Sequence, residues 1–264
     1  MKKTPTNNLK ITHRQAKVLA CIVKIHSETG KPIASKELIE KGFFEVSGAT
    51  LRNEMQALEE AGLITHPHTS SGRVPTDEGF RYFVNQLMDH VQLSMKEQQE
   101  LRKEIIKLQA VNTEIGRRLV KMLAMHSSQA SFAILPEGVS SVGLSNILNN
   151  DQLLPEDTQE IARFFDDLDD YADQIIADYS DKEPQTFIGK ELTLSKGSDY
   201  SMIVSGVKLP SGKKGVIGLI GPKSMKYPKN ISLMEYITKF LGGKGGGAAG
   251  GGAAAAIILF TIIR

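Results

Sequence analysis

Over the first part of the chain, apolar positions recur with helical spacing and then change period. Val18, Ile22 and Ile25, with Leu19 and Val23, mark the buried side of a first helix. Thr12 and Gln15 form a capping box at its start, and Thr29-Gly30 ends it. Pro32 enters a short linker, Ser35 is placed to cap a second helix over 36–41, and Gly42 closes it. Leu51, Met55, Leu58 and Gly62 then repeat behind a Ser47 N-cap, which predicts a third helix of about four turns. After Ala61-Gly62 the pattern shortens. Leu63-Ile64-Thr65 reads as a strand, Pro67 to Gly72 as a turn and Arg73-Val74 as the return. Thr76 caps a fourth helix whose apolar side is Phe80, Phe83, Val84 and Leu87.

Farther on, Leu101, Ile105, Leu108, Asn112, Ile115, Leu119 and Met122 alternate four and three apart within a predicted long helix from Met95 to about His126. Two readings stay open for that stripe. It is the seam of a two-stranded coil, with Asn112 fixing its register, or it packs on the chain's own following domain. Ala130 to Leu135 predicts a strand, and Leu153 to Tyr179 an acidic amphipathic helix with Ile161, Phe164, Phe165, Leu168, Ala172, Ile175 and Tyr179 on one side. Strands follow over 186–188, 201–209 and 216–220, with a turn at Pro210 to Lys213, and a last helix over 233–241 is capped by Asn230 or Ser232. Strands with segregated helices predict an α+β class. The Gly/Ala-rich tail over 242–264 has an apolar end too short for a spanning helix, which needs about 20 residues.

Three helices followed by a hairpin is the order of a winged helix-turn-helix, whose third helix enters the major groove. The polar face of the third helix supports that use. Ser47, Thr50, Arg52, Asn53 and Gln56 carry groups that pair with base edges or phosphates, and Ala49 is small enough for close approach. Ser35 and Lys36, at the start of the second helix, are candidate phosphate contacts. In the hairpin turn, His68, Thr69, Ser70, Ser71 and Arg73 offer hydroxyls, an imidazole and a guanidinium for the backbone of a duplex.

Charge agrees with a polyanionic partner. Net charge is only +2, yet residues 151–183 hold twelve acids against two bases, so that segment carries −10 and the remainder +12. The first 41 residues alone have nine Lys or Arg against three Glu. A single cysteine, Cys21, excludes an internal disulfide framework and a four-thiolate zinc site; set in an apolar helical run, it reads as a core residue in a reducing, cytoplasmic setting. No signal-peptide pattern and no membrane partner are expected.

The stretch GATLRNEMQALEEAGLITHPHTSSGRVPTDEGFRYFV, preceded by TGKPIASKEL, closely resembles the heat-inducible transcription repressor HrcA family. The resemblance returns at VGLSNIL (142–148) and at GVIGLIGPKSMKYPKNISLMEYITKFL (215–241). It implies a winged-helix DNA-binding domain over 1–90, a connecting, coiled-coil helix over 91–128, a reduced GAF-like regulatory domain over 129–241, and the tail. It also implies a repressor that binds a double-stranded inverted-repeat operator of the CIRCE type as a homodimer, with a GroEL-type chaperonin as modulating partner and no cofactor. The family's inserted dimerising domain is largely missing between Ile134 and Val142, so the seam from Leu101 to Met122 is the candidate for dimerisation.

Two other functions compete. The winged helix serves protein contacts or binds DNA only as an architectural element, or Asp166-Asp167-Leu168-Asp169-Asp170, a literal DDxxD, holds magnesium in an enzyme. The second lacks a partner aspartate cluster, and a solvated acidic face explains the run better. His66 and His68 flank Pro67 without further ligands at metal-binding spacing, and neither a metal site nor a catalytic residue is assigned.

Overall fold

The computed structural model describes residues 11–67, 72–89, 91–109, 115–148, 153–192, 199–209 and 211–242, with only the backbone at 108 and 109. The expectations for His68, Thr69, Ser70, Ser71, the Leu108 side chain, Asn112 and the tail from 243 onward lie outside these residues.

Helix α1 (His13–Thr29) has the expected capping box at Thr12 and ends at Gly30, whose φ of 67° suits glycine. The short helix α2 (Ser35–Glu40) begins at Ser35 itself; Ala34 is the N-cap and no side chain caps it, which corrects the assignment of Ser35 as cap. Helix α3 (Gly48–Glu60) starts behind Ser47, whose hydroxyl accepts from Thr50 N, and buries Leu51, Met55 and Leu58. Strands β1 (Ile64–Thr65) and β2 (Val74–Pro75) pair antiparallel. Helix α4 (Asp77–Tyr82), capped by Thr76, runs into a π turn over Phe83–Leu87.

The predicted long helix is two. α5 (Met95–Gln109) and α6 (Ile115–Ser127) fold back on one another: His126 Nε2 lies 3.4 Å from Glu104 Oε2. In one continuous helix these residues would be about 33 Å apart. Leu101, Ile105, Leu119 and Met122 are 1%, 0%, 0% and 4% exposed in the core of this same chain, with Ile115 packed against it. The stripe is therefore consumed internally, and the described members of the proposed dimerisation seam offer no free apolar face to a second subunit. Folding back lets two amphipathic helices share one core, which satisfies the same periodicity.

A five-stranded antiparallel sheet follows, in the order β4-β3-β7-β6-β5. Its members are β3 (Ala130–Leu135), β4 (Gly138–Val142), β5 (Gln185–Ile188), β6 (Tyr200–Lys208) and β7 (Lys214–Pro222). Four of them match sequence expectations. β4 does not: it is half-exposed, rich in serine, and pairs as an edge from Ser131↔Val142 to Leu135↔Gly138. Alternation divides the sheet cleanly. Ala133, Leu135, Ile203, Val207, Ile217 and Leu219 face a core shared with α1, α3, α4, α5, α6 and the last helix, α10 (Tyr227–Leu241). Phe132, Ile134, Tyr200, Met202, Val204, Val216 and Ile220 face a second core, closed by α7 (Leu144–Leu148), α8 (Pro155–Asp166) and α9 (Ala172–Tyr179).

The acidic helix expected over 153–179 thus breaks into α8 and α9, with Asp167 to Tyr171 between them. Four aspartates within five residues repel at helical spacing and are poor helix formers, while Leu168 is fully buried and pins the turn to the second core. Neither Asn230 nor Ser232 caps α10, which begins earlier, after Lys226, with Pro228 in its first turn. Instead Ser232 donates to the Val91 carbonyl, and Asn230 is buried within the helix face. The architecture is α+β with a five-stranded antiparallel sheet, consistent with the GAF-like expectation.

Candidate nucleic-acid interface

Helix α3 has two sides of opposite character. Leu51, Met55 and Leu58 are 0% exposed, locking it against α1 and α2. On the other side Ser47, Ala49, Arg52, Asn53 and Gln56 are exposed and Thr50 is half-buried. The helix start is built by short-range bonds. Thr50 N donates to Ser47 Oγ at 3.1 Å and the two hydroxyls lie 2.9 Å apart. No acid sits in the first turn of α3, so no side chain of that turn neutralises its partial positive charge. Arg52 makes no ion pair among the described residues, whereas Gln56 is held by Glu60 at 3.0 Å. At about 1.5 Å per residue, α3 is a rod of roughly 20 Å whose diameter suits a groove about 12 Å wide.

The hairpin is attached to this helix rather than left free. Arg73 donates through Nε and a terminal nitrogen to Glu59 Oε2, at 3.2 and 3.0 Å, and its side chain is only 17% exposed. Its backbone exchanges two hydrogen bonds of 2.9 Å with Ile33. A Cβ at Gly72 would overlap the Ile33 backbone, which explains the glycine before it. Arg73 is thus committed to an internal carboxylate, which differs from its expected role as a free phosphate clamp. His66 Nε2 sits 3.5 Å from the same Glu59 oxygen.

At α2, Ser35 is half-buried and Lys36 is exposed, with its ammonium 3.5 Å from Glu40 one turn on. Arg14 of α1, which sequence reasoning passed over, reaches Glu54 of α3 at 3.3 Å and adds a half-exposed guanidinium beside that helix. Its signal was the excess of Lys and Arg over Glu in the first 41 residues. A second constellation lies away from this surface. Asp77 and Arg81 of α4 meet Glu191, Lys223 and Asp199 of the sheet unit, and no local pattern announces it. Burial works against the Lys223 ammonium, but its hydrogen bonds to Asp77 and Asp199 outweigh this and hold its pKa above the ordinary lysine value.

The aspartates at 166, 167, 169 and 170 are all exposed. Among the described residues no three His, Cys, Asp or Glu converge as metal ligands, and no helix is long and apolar enough to cross a membrane. Cys21 is half-buried in α1, and burial raises its thiol pKa.

Comparison with known proteins bears on the whole arrangement. The heat-inducible transcription repressor HrcA of Chloroflexus aurantiacus is 39% identical over 126 residues, covering 48% of this chain and 34% of that protein. For the protein of the same name from Roseiflexus castenholzii the figures are 45% over 126 residues, 48% and 35%, and for that from Enterococcus faecalis 38% over 127 residues, 48% and 36%. The aligned part spans about a third of the length of these curated relatives. A crystal structure described as that of a hypothetical protein superimposes with a TM-score of 0.67, covering 89% of this chain and 97% of its own at 20% identity, which establishes likeness of fold. A family model described as the HrcA protein C terminal domain matches residues 53–231, more than half of the sequence. The chain belongs to the HrcA family.

Proposed function

We propose that this protein is a sequence-specific transcription repressor whose winged helix, within residues 1–90, lays α3 in the major groove of an operator. The observation that carries this reading is the two-sided α3. Its apolar stripe is wholly used in folding, and its opposite face keeps Ser47, Ala49, Thr50, Arg52, Asn53 and Gln56 at or near the surface behind an N-terminus with no acid. Similarity to proteins named heat-inducible transcription repressors supports heat-inducible repression, and the family resemblance implies heat-shock operons as targets and a CIRCE-type inverted repeat as the site. Two-fold reading of such a repeat requires a homodimer. The GAF-like unit over 129–241 serves regulation, with a GroEL-type chaperonin as the modulating partner, and the protein acts in the cytoplasm without catalysing a reaction.

Ser35 and Lys36, and in the hairpin His68, Thr69, Ser70 and Ser71, are assigned to phosphates. Arg73 supports the hairpin from within. Duplex competition tests the assignment: an inverted-repeat operator is expected to bind at least roughly 10³-fold more tightly than scrambled DNA at matched salt. Arg52→Ala is expected to lose about 1 to 3 kcal/mol of that discrimination, as for a bidentate base contact. Equal affinity for both duplexes would instead identify an architectural DNA-binding protein, and no affinity for either would identify a protein-contact module.

A further inference from the structure

The polar contacts between the helix-hairpin unit and the sheet unit are concentrated on α4. Asp77 and Arg81 lie one turn apart on it and so share a face. Arg81 donates through Nε to Glu191 Oε1 at 2.8 Å, and through a terminal nitrogen to the other Glu191 oxygen and to the Thr186 carbonyl, the latter at 2.7 Å. Lys223, just past the end of β7, places its ammonium 2.7 Å from Asp77 and 2.9 Å from Asp199. The second Asp77 oxygen accepts from Lys190 N at 3.2 Å. This approach is possible because Gly189, at a φ of 49°, has no Cβ to overlap the Asp77 carboxylate. Asp199 is fixed in turn, its N–H donating to Asp157 Oδ1 at 3.2 Å in the first turn of α8.

These are not loose surface pairs. Arg81, Glu191, Lys223 and Asp77 side chains are 25%, 21%, 23% and 14% exposed, so removing one partner strands a charge that is largely out of water. Apolar contact also joins the units, with the Phe80 ring 6.0 Å from that of Tyr227, but apolar packing fixes rotation less sharply than hydrogen bonds of set direction. A bidentate guanidinium and a doubly bonded ammonium do specify it. Beside them a cleft of about 650 Å³ opens between Thr65, Pro67 and Val74 on the hairpin side and Lys190 and Ser224 on the sheet side. At this edge the joint is therefore held by α4.

We infer that Asp77 and Arg81, with Glu191, Lys223 and Asp199, are positioning residues for DNA binding: they set the orientation in which the sheet unit presents α3 and touch no DNA themselves. The inference rests on the DNA-binding reading of α3, and its test has an arm that does not. In the full-length chain, Arg81→Glu is expected to speed amide hydrogen exchange in α4 and over 185–188 while far-UV circular dichroism is unchanged. It should also weaken operator binding roughly 5- to 150-fold, the range of an ordinary coupling between sites. Adding Glu191→Arg restores the pair with reversed sign and is expected to return both readouts toward native values. Lys223→Gln, a milder change, should move both in the same direction should Arg81→Glu not fold. Native exchange rates in the single variants, failure of the double variant to rescue either readout, or an affinity loss no larger than the loss of folded protein would each overturn the proposal. If the native chain ignores the operator, the repressor reading fails, and the exchange arm still decides whether α4 is latched.

Discussion

Helix α3 and the α5–α6 pair carry the same kind of signal, an apolar stripe at helical spacing on an otherwise polar surface, and the fold uses the two differently. In α3 the stripe meets α1 and α2 nearby in sequence, and the far face is left with exposed arginine and carboxamides. In α5–α6 the stripe alternates as a coiled-coil seam would, yet it is buried beneath the sheet and α10 of the same chain. Periodicity states which side of a helix is buried. It does not state what buries it.

The most forceful way to break this comparison is to cut into the second stripe. Ile105→Ala removes most of a side chain that is 0% exposed and is expected to cost about 2 to 5 kcal/mol, as Met55→Ala is in α3. Urea unfolding measures it, and the decisive feature is dependence on protein concentration. A stripe buried within one subunit gives the same loss at every concentration. A midpoint that rises with concentration in the native chain, and ceases to in the variant, would return Ile105 to an interface between subunits.

Much of the fold was legible from local rules. The capping box at Thr12, the Ser47 and Thr76 caps and the stop at Gly62 rest on groups within a few residues of each other, the hairpin pairs Ile64 with Pro75 in the same stretch of chain, and the structure has them all. What failed depends on distant partners. Arg52 and Arg73 look equivalent in sequence; only the fold brings Glu59 to Arg73 and leaves Arg52 without an ion pair among the described residues. The α4 joint links residues 110 and 146 positions apart, so no window along the chain contains it. Strand β4 was missed because a half-exposed edge needs little hydrophobicity, and its Val-Ser-Ser-Val run shows little alternation. The break between α8 and α9 was legible in principle, since clustered aspartates oppose a continuing helix.

A smaller effect sharpens the contrast at the helix starts. Ser47 caps α3 through its hydroxyl alone, whereas Ser94 opens α5 in a reciprocal set in which Ser94 N and Oγ donate to Glu97 at 2.9 and 2.7 Å. Replacing either serine by alanine is expected to cost about 0.5 to 2 kcal/mol. The two caps differ in acid. The Ser94 hydroxyl, and then its N–H, hold the Glu97 carboxyl below the ordinary glutamate value. A depressed folded-state pKa contributes stability that is complete above the unfolded value of about 4.3 and is lost as pH falls through the folded one. The penalty of Ser94→Ala should therefore shrink in acid, while that of Ser47→Ala holds. A pH series of chemical denaturation checks this; parallel curves for the two variants would show that Glu97 is not part of the cap.

The smallest effect on stability is expected where the proposed function is concentrated. Asn53 and Gln56 are exposed on the outer face of α3, and the one side-chain hydrogen bond they make among the described residues is that from Gln56 to Glu60 at 3.0 Å. A pair of that type at helical spacing contributes about 0.2 to 0.5 kcal/mol, and alanine recovers part of it through higher helix propensity. Asn53→Ala with Gln56→Ala is accordingly expected to shift unfolding by no more than about 0.5 kcal/mol. The same double change should weaken operator binding while leaving the affinity for scrambled duplex nearly unchanged, because neither side chain carries charge to neutralise a phosphate. A loss of stability comparable to that of Met55→Ala would mean that the outer face is structural after all. The two sides of α3 would then no longer divide folding from recognition.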